Sequence, residues 1–96
     1  MENIAKLNKF WNKKKVFVTG HTGFKGSWLC IILKYLNAKV YGYSLKPEKK
    51  SLFNKSKIEK KLISSSYSDI NNIEDLKKKI KKSQPQIVFH LAAQPL

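Results

Sequence analysis

Lys15-Val-Phe-Val-Thr-Gly-His-Thr-Gly-Phe-Lys-Gly26 is the stretch whose reading decides the fold. Val16 to Thr19 are β-branched or aromatic and Gly20 ends the run, the pattern of a buried strand. Glycines then recur at every third position, Gly20, Gly23 and Gly26, before an apolar helical periodicity sets in. Each spacing has a physical task. Gly20 permits a tight turn off the strand, Gly23 lets backbone approach a pyrophosphate without a Cβ in the way, and Gly26 lets the helix pack close to the sheet. The helix N-terminus offers free N–H groups and the positive end of its dipole, with the amides near Phe24 and Lys25 the expected donors. A glycine triplet alone is weak; between a strand and an amphipathic helix it is a dinucleotide-binding fingerprint. A Walker-type phosphate loop is rejected, because Lys25-Gly26-Ser27 puts the lysine on the wrong side of the glycine.

Outward from that turn, strands and helices alternate. The helix is expected to run to about Asn37, burying a stripe of Trp28, Leu29, Ile32, Leu33 and Leu36. Lys39 to Ser44 reads as a second strand. Pro47 ends regular structure, and Lys46 to Lys61 reads as a charged, loop-like connection, anchored by Leu52 and Phe53, with a helical turn near Ile58. Leu62 to Ser65 reads as a third, weaker strand. Asn72 is placed to cap a helix over Ile73 to Lys82 with Ile73, Leu76 and Ile80 inward, and Gln86 to Leu91 is the fourth strand. Residues 1–12 form a polar lead-in, with Phe10 and Trp11 folding back. The expectation is an α/β, Rossmann-type doubly wound parallel sheet of order 3-2-1-4, with residues 13–96 a partial NAD(P)-binding domain truncated after its fourth strand. Strand four is then an exposed edge.

Length and composition narrow the function. Ninety-six residues are one small domain, whereas a dinucleotide enzyme with a substrate domain needs about 250 or more. No apolar run approaches the ~18 residues of a membrane span, and Met1 to Asn12 carries no secretory signal. The single cysteine, Cys30, excludes a disulfide framework within the chain, is expected buried and inert, and makes a cytoplasmic address the default. The formal charge is +14, and all 20 basic residues are lysines. Sequence-specific nucleic-acid readers favour arginine, and these lysines lie where solvated faces are expected, so the charge reads as compositional bias rather than a binding surface.

The end of the second strand should carry the ribose selector, commonly Asp or Glu in an NAD site. Here that place falls near Ser44, with Lys46 close behind, so NAD is expected and NADP is not excluded. Asp69 and Ile70 are placed to meet the adenine edge. His21 and His90 have no partner carboxylate or metal ligand at a suitable spacing, and no catalytic residue or metal set is expected.

Phe17 to Trp28, Val40 to Leu45, Ser51-Leu-Phe53, Asp69-Ile70 and Ile-Val-Phe-His-Leu-Ala-Ala-Gln-Pro-Leu (Ile87 to Leu96) together resemble the extended short-chain dehydrogenase/reductase superfamily, and within it the CDP-glucose 4,6-dehydratases. The resemblance covers about residues 10–96. It implies a tightly held NAD that oxidises C4 of the hexose in CDP-glucose. Water then leaves across C5–C6, and hydride returns at C6 to give a 4-keto-6-deoxy sugar for lipopolysaccharide and other surface polysaccharides. By position, Gly20, Thr22, Gly23, Phe24, Lys25 and Gly26 match the family's pyrophosphate turn. Asp69 and Ile70 match its adenine contact, and Leu91, Ala92 and Ala93 its cleft-lining fourth strand.

The resemblance implies that the family's Tyr-x-x-x-Lys pair lies beyond residue 96; four positions after Tyr41 and Tyr43 stand Leu45 and Pro47. The 96-residue chain is therefore expected to be inactive alone, with a nucleotide-sugar substrate and homodimer pairing belonging to a full-length form. The alternatives are a segment of another nucleotide-sugar epimerase or reductase of the superfamily, and a basic nucleic-acid-binding module.

Overall fold

A computed structural model describes residues 2–92. Its elements in chain order are α1 (Glu2–Trp11), β1 (Lys15–Thr19), α2 (Phe24–Tyr35), β2 (Lys39–Ser44), α3 (Leu52–Ser56), a 3-10 turn (Ile58–Lys61), β3 (Ser64–Tyr67), α4 (Ile73–Ser83) and β4 (Ile87–His90). The four strands form one parallel sheet of order β3-β2-β1-β4, as the alternation of elements predicts.

Period-two alternation divides the residues of the sheet between two cores. Val16, Val18 and Val40 join Cys30, Leu33 and Ala38, with Phe53 and Ile58 closing the cluster. Phe17 and Tyr43 point the other way, their ring centroids 6.2 Å apart, and the Tyr43 hydroxyl donates to Asp75 of α4 at 2.9 Å. The register aligns Thr19 with Tyr43 on one side and His90 on the other. The carboxyl ends of the central strands thus converge on one edge, the place where open parallel sheets bind ligands.

Helix α2 begins inside the glycine turn and stops where Asn37 takes a left-handed φ of 64°. The Asn37 N–H donates to Lys34 O at 2.9 Å and the Ala38 N–H to Leu33 O at 3.0 Å. This is a Schellman close, with Leu33 and Ala38 both delivered to the core. The expected stripe on α2 holds at Leu33 and Leu36, which are buried, and at Leu29, which packs on the core; it is corrected at Trp28 and Ile32, which are half exposed, while Gly26, Ser27 and Cys30 are buried. The small residues permit the closest approach, so the helix turns that face inward and carries its bulkier side chains outside.

Three further expectations shift. Strand β3 lies two residues later than expected, because Leu62 is spent packing against the core and Tyr67 stacks over His21 with ring centroids 6.1 Å apart. On α4, Leu76 and Ile80 are partly buried but Ile73 is 57% exposed. In the lead-in, Trp11 folds back onto Phe89 at 6.3 Å, while Phe10 stays half exposed under the Lys14 ammonium, 4.4 Å from its ring centroid. No described helix is long and apolar enough to cross a membrane.

Candidate functional site

The turn after β1 is built from backbone. Gly20 has φ +77°, and a Cβ there would meet Ala92 N and the Leu91 carbonyl carbon at 2.6 Å, so the turn is pressed against the chain leaving β4. The Gly20 N–H donates to Tyr43 O at 2.9 Å, and the Leu91 N–H to Thr19 O at 3.0 Å. A Cβ on Gly26 would stand 2.1 Å from Gly20 O. The close approach that Gly26 permits is therefore to the turn itself, a correction to the expected helix–sheet contact. Gly23 differs from both: a Cβ there meets only Gly20 O, at an ordinary 3.5 Å. Its open side faces a cleft of about 760 Å³.

Helix α2 has no side-chain cap, its N-cap being Gly23. Its first-turn amides are thus left to whatever enters the cleft. Thr22 holds the turn to the end of β2, with its Oγ1 2.9 Å from Ser44 Oγ and donating to Leu45 O at 3.0 Å. Across the cleft, the Asp69 carboxylate accepts from the Asn71 N–H at 2.8 Å. One oxygen of Asp69 is thereby committed to shaping the loop.

Of the residues expected at a nucleotide site, Gly20, Thr22, Gly23 and Phe24 line the cleft from the turn. Ser44 lines it from β2, Asp69 and Ile70 from the loop after β3, and Leu91 and Ala92 from the chain after β4. Two do not line it: Lys25 is exposed, and Gly26 is buried beneath the turn. Ala93 lies outside the described residues. The cleft also gathers Tyr43 of β2, and Leu45, Pro47 and Lys50, for which only a position just after β2 is the signal.

His21 is a core residue. It is fully buried, its Nε2 lies 2.7 Å from Ser65 Oγ, and Phe53 meets its ring edge-on at 5.1 Å. Nδ1 has no hydrogen-bond partner. Gly42 makes the room, since a Cβ there would stand 2.3 Å from His21 Cδ2. Burial pushes the imidazole pKa down to about 4, against smaller upward pulls from the Tyr43 backbone and Glu59. His90 Nδ1 lies 2.7 Å from Thr19 Oγ1 beside the turn. Burial likewise pushes the Cys30 thiol up to about 12. Among the described residues no group of three or more His, Cys, Asp or Glu side chains could hold a metal ion.

Comparison with known proteins agrees with this architecture. Residues 16–96 match the model of the NAD dependent epimerase/dehydratase family. Over 88 residues the chain is 50% identical to CDP-glucose 4,6-dehydratase of Salmonella typhimurium, covering 91% of this chain and 24% of that protein. The chain thus spans about a quarter of the length of this curated relative. An epimerase from Methanothermobacter thermautotrophicus superposes with TM-score 0.69 at 29% identity, over 95% of this chain and 26% of its own. The dTDP-glucose 4,6-dehydratase of Bacillus anthracis, solved in complex with NAD, gives TM-score 0.64 at 25% identity, over 84% of this chain and 27% of its own. The chain belongs to the NAD dependent epimerase/dehydratase family.

Proposed function

We propose that this chain is the dinucleotide-binding part of a nucleotide-sugar dehydratase acting on CDP-glucose. The observation that carries the reading is Gly23: Gly20 and Gly26 are pressed against backbone, whereas Gly23, which lines the cleft, alone of the three has room where a Cβ would stand. The residues present fit an NAD-type cofactor. The turn Gly20 to Phe24 and the uncapped start of α2 hold the pyrophosphate, Ser44 the ribose, and Asp69 and Ile70 the adenine edge. Leu91 and Ala92 form the floor toward the nicotinamide. When bound, the cofactor takes up a hydride from C4 of the sugar and returns it at C6. The chain's own residues bind and orient.

The complete reaction, with loss of water across C5–C6, belongs to a protein that also carries the remaining length of the relatives. There the substrate is CDP-glucose, the product serves surface polysaccharide such as lipopolysaccharide, and the active form is a homodimer. A single buried thiol suits a reducing compartment, the cytoplasm. No sequence-specific nucleic acid is a partner.

Calorimetric titration of the chain with dinucleotide tests the reading. Binding is expected, and Gly23→Val should weaken it by roughly a hundredfold or more by filling the pyrophosphate cradle. Unchanged affinity in that variant, with its fold intact by circular dichroism, would refute the site. Assay of a protein carrying the full length on CDP-glucose against dTDP-glucose and UDP-glucose tests the substrate. Equal turnover on all three, or epimerisation instead of dehydration, would replace the dehydratase reading with another member of the family.

A further inference from the structure

Two side chains stand between Gly20 and Gly23 in the turn, and they point in opposite directions. Thr22 lines the cleft and is held to the end of β2, whereas His21 is fully buried and lines no part of the cleft. Glycine loses more conformational entropy than any other residue when its backbone is fixed. A ligand that had to order this turn would bear that cost in its own affinity. The amides at the start of α2 therefore serve best if something else holds the turn in place beforehand.

His21 is tied at both its backbone and its side chain. Its carbonyl accepts from Ser27 Oγ in the first turn of α2 at 3.0 Å, and its Nε2 lies 2.7 Å from Ser65 Oγ of β3. Three further residues lodge the ring, none of them lining the cleft. Phe53 of α3 meets it edge-on, Tyr67 of β3 lies parallel to it within 6°, and Gly42 of β2 leaves the space that any Cβ would fill. The Tyr67 hydroxyl donates to the Glu59 carboxylate, so the ring stacked on His21 is itself fixed.

For stability alone a histidine is a poor choice here. Its Nδ1 is buried without a partner, a desolvation cost that an aliphatic side chain of similar size would not carry. What the imidazole adds is direction, since a hydrogen bond to Ser65 fixes the ring's place along β3 in a way that apolar contact does not.

We propose, given the dinucleotide site above, that His21 is a positioning residue for the pyrophosphate turn, pegging it through Ser65 to β3 so that the turn is already in its binding shape before the dinucleotide arrives. Ser65 belongs to the same device, although it lies 44 residues away in the chain and outside the cleft.

Calorimetric titration with NAD, alongside urea unfolding of each variant, tests this. Ser65→Ala cuts the tie without altering the turn or the cleft lining and should weaken NAD by roughly fivefold or more. Ser65→Thr keeps the hydroxyl and should bring affinity back to within about twofold of the parent. Leu33→Val trims the same core toward the far end of α2. It should lower the urea midpoint while leaving NAD affinity within about twofold. His21→Leu fills the pocket with neither a hydrogen bond nor an unpartnered nitrogen. It should hold the urea midpoint and still weaken NAD, a combination that a merely structural residue does not give. Parental affinity in both Ser65→Ala and His21→Leu would overturn the positioning role and leave the dinucleotide site standing. Equal weakening by Ser65→Ala and Leu33→Val would also overturn it, since lost stability would then account for the effect. A parent chain that binds no NAD would bring down the site itself, and this role with it.

Discussion

Gly23 and Gly26 stand three residues apart with opposite consequences for substitution. A methyl group on Gly26 would have to displace the Gly20 carbonyl, backbone that cannot swing aside. Gly26→Ala is therefore expected to cost about 3 kcal/mol of stability by overpacking, read as a fall in the urea midpoint. Gly23→Ala should leave that midpoint within about 0.5 kcal/mol, because its Cβ finds ordinary contact. Equal losses in the two variants would mean that the turn does not separate fold from site. The triplet was legible in the sequence as a fingerprint, but not this division of labour. Gly26 reads there as a helix–sheet contact, because spacing alone does not say which backbone a helix meets.

His21 supplies the other prediction at this scale. Its folded pKa of about 4 lies below the ordinary 6.5, so the unfolded chain takes up the proton first as pH falls. Stability is then full above about pH 6.5 and is lost as pH drops toward 4, the loss between pH 7.5 and 5.5 being on the order of 1 kcal/mol. Histidine ring resonances followed by NMR give the direct check, as the chain has only His21 and His90. A His21 titration midpoint at or above 6 would sink the argument. The sequence placed His21 in the turn and left it without chemistry. Its burial depends on Gly42 and Ser65, which are 21 and 44 residues away, so no local pattern announces it.

At the scale of elements, α4 is the one that its sequence specifies most completely. Asn72 Oδ1 accepts from the Asp75 N–H at 3.3 Å, Glu74 and Asp75 stand in the first turn, and Lys81 and Lys82 in the last. Charges and cap all favour the helix dipole. Asn72→Ala should lower stability by about 1 kcal/mol, with Asn72→Asp close to neutral. Thermal unfolding of both variants checks it, and an alanine variant as stable as the parent would remove the cap from the account. The strands β1 and β2 were equally legible, because β-branched and aromatic residues ended by Gly20 or Pro47 leave one reading. β3 was not. Serines carry little strand preference, and Leu62, which looks like the start of the strand, is drawn instead to the core. The exposed flank of α2 was misread for a related reason: apolar periodicity marks Trp28 and Ile32, but the smallness of Gly26, Ser27 and Cys30 decides which face lies down.

Over the whole molecule the dominating quantity is a net charge of +14 on 96 residues. Lysines that serve no partner repel one another in the folded state more than in the expanded chain, so charge acts against compactness. Raising sodium chloride from about 10 to 150 mM shortens the screening length from about 30 to 8 Å. The urea midpoint should therefore rise across that range. Dinucleotide affinity should move the opposite way, because the same lysine field that strains the fold attracts the phosphates. Equilibrium unfolding and calorimetry on one salt series read both quantities together. A midpoint that falls with salt would mean that attractive pairs outweigh the repulsion. An affinity indifferent to salt would mean that the phosphates sit outside the reach of the lysines. Opposite signs for stability and affinity are the outcome that a lysine-rich Rossmann sheet binding an anionic dinucleotide requires.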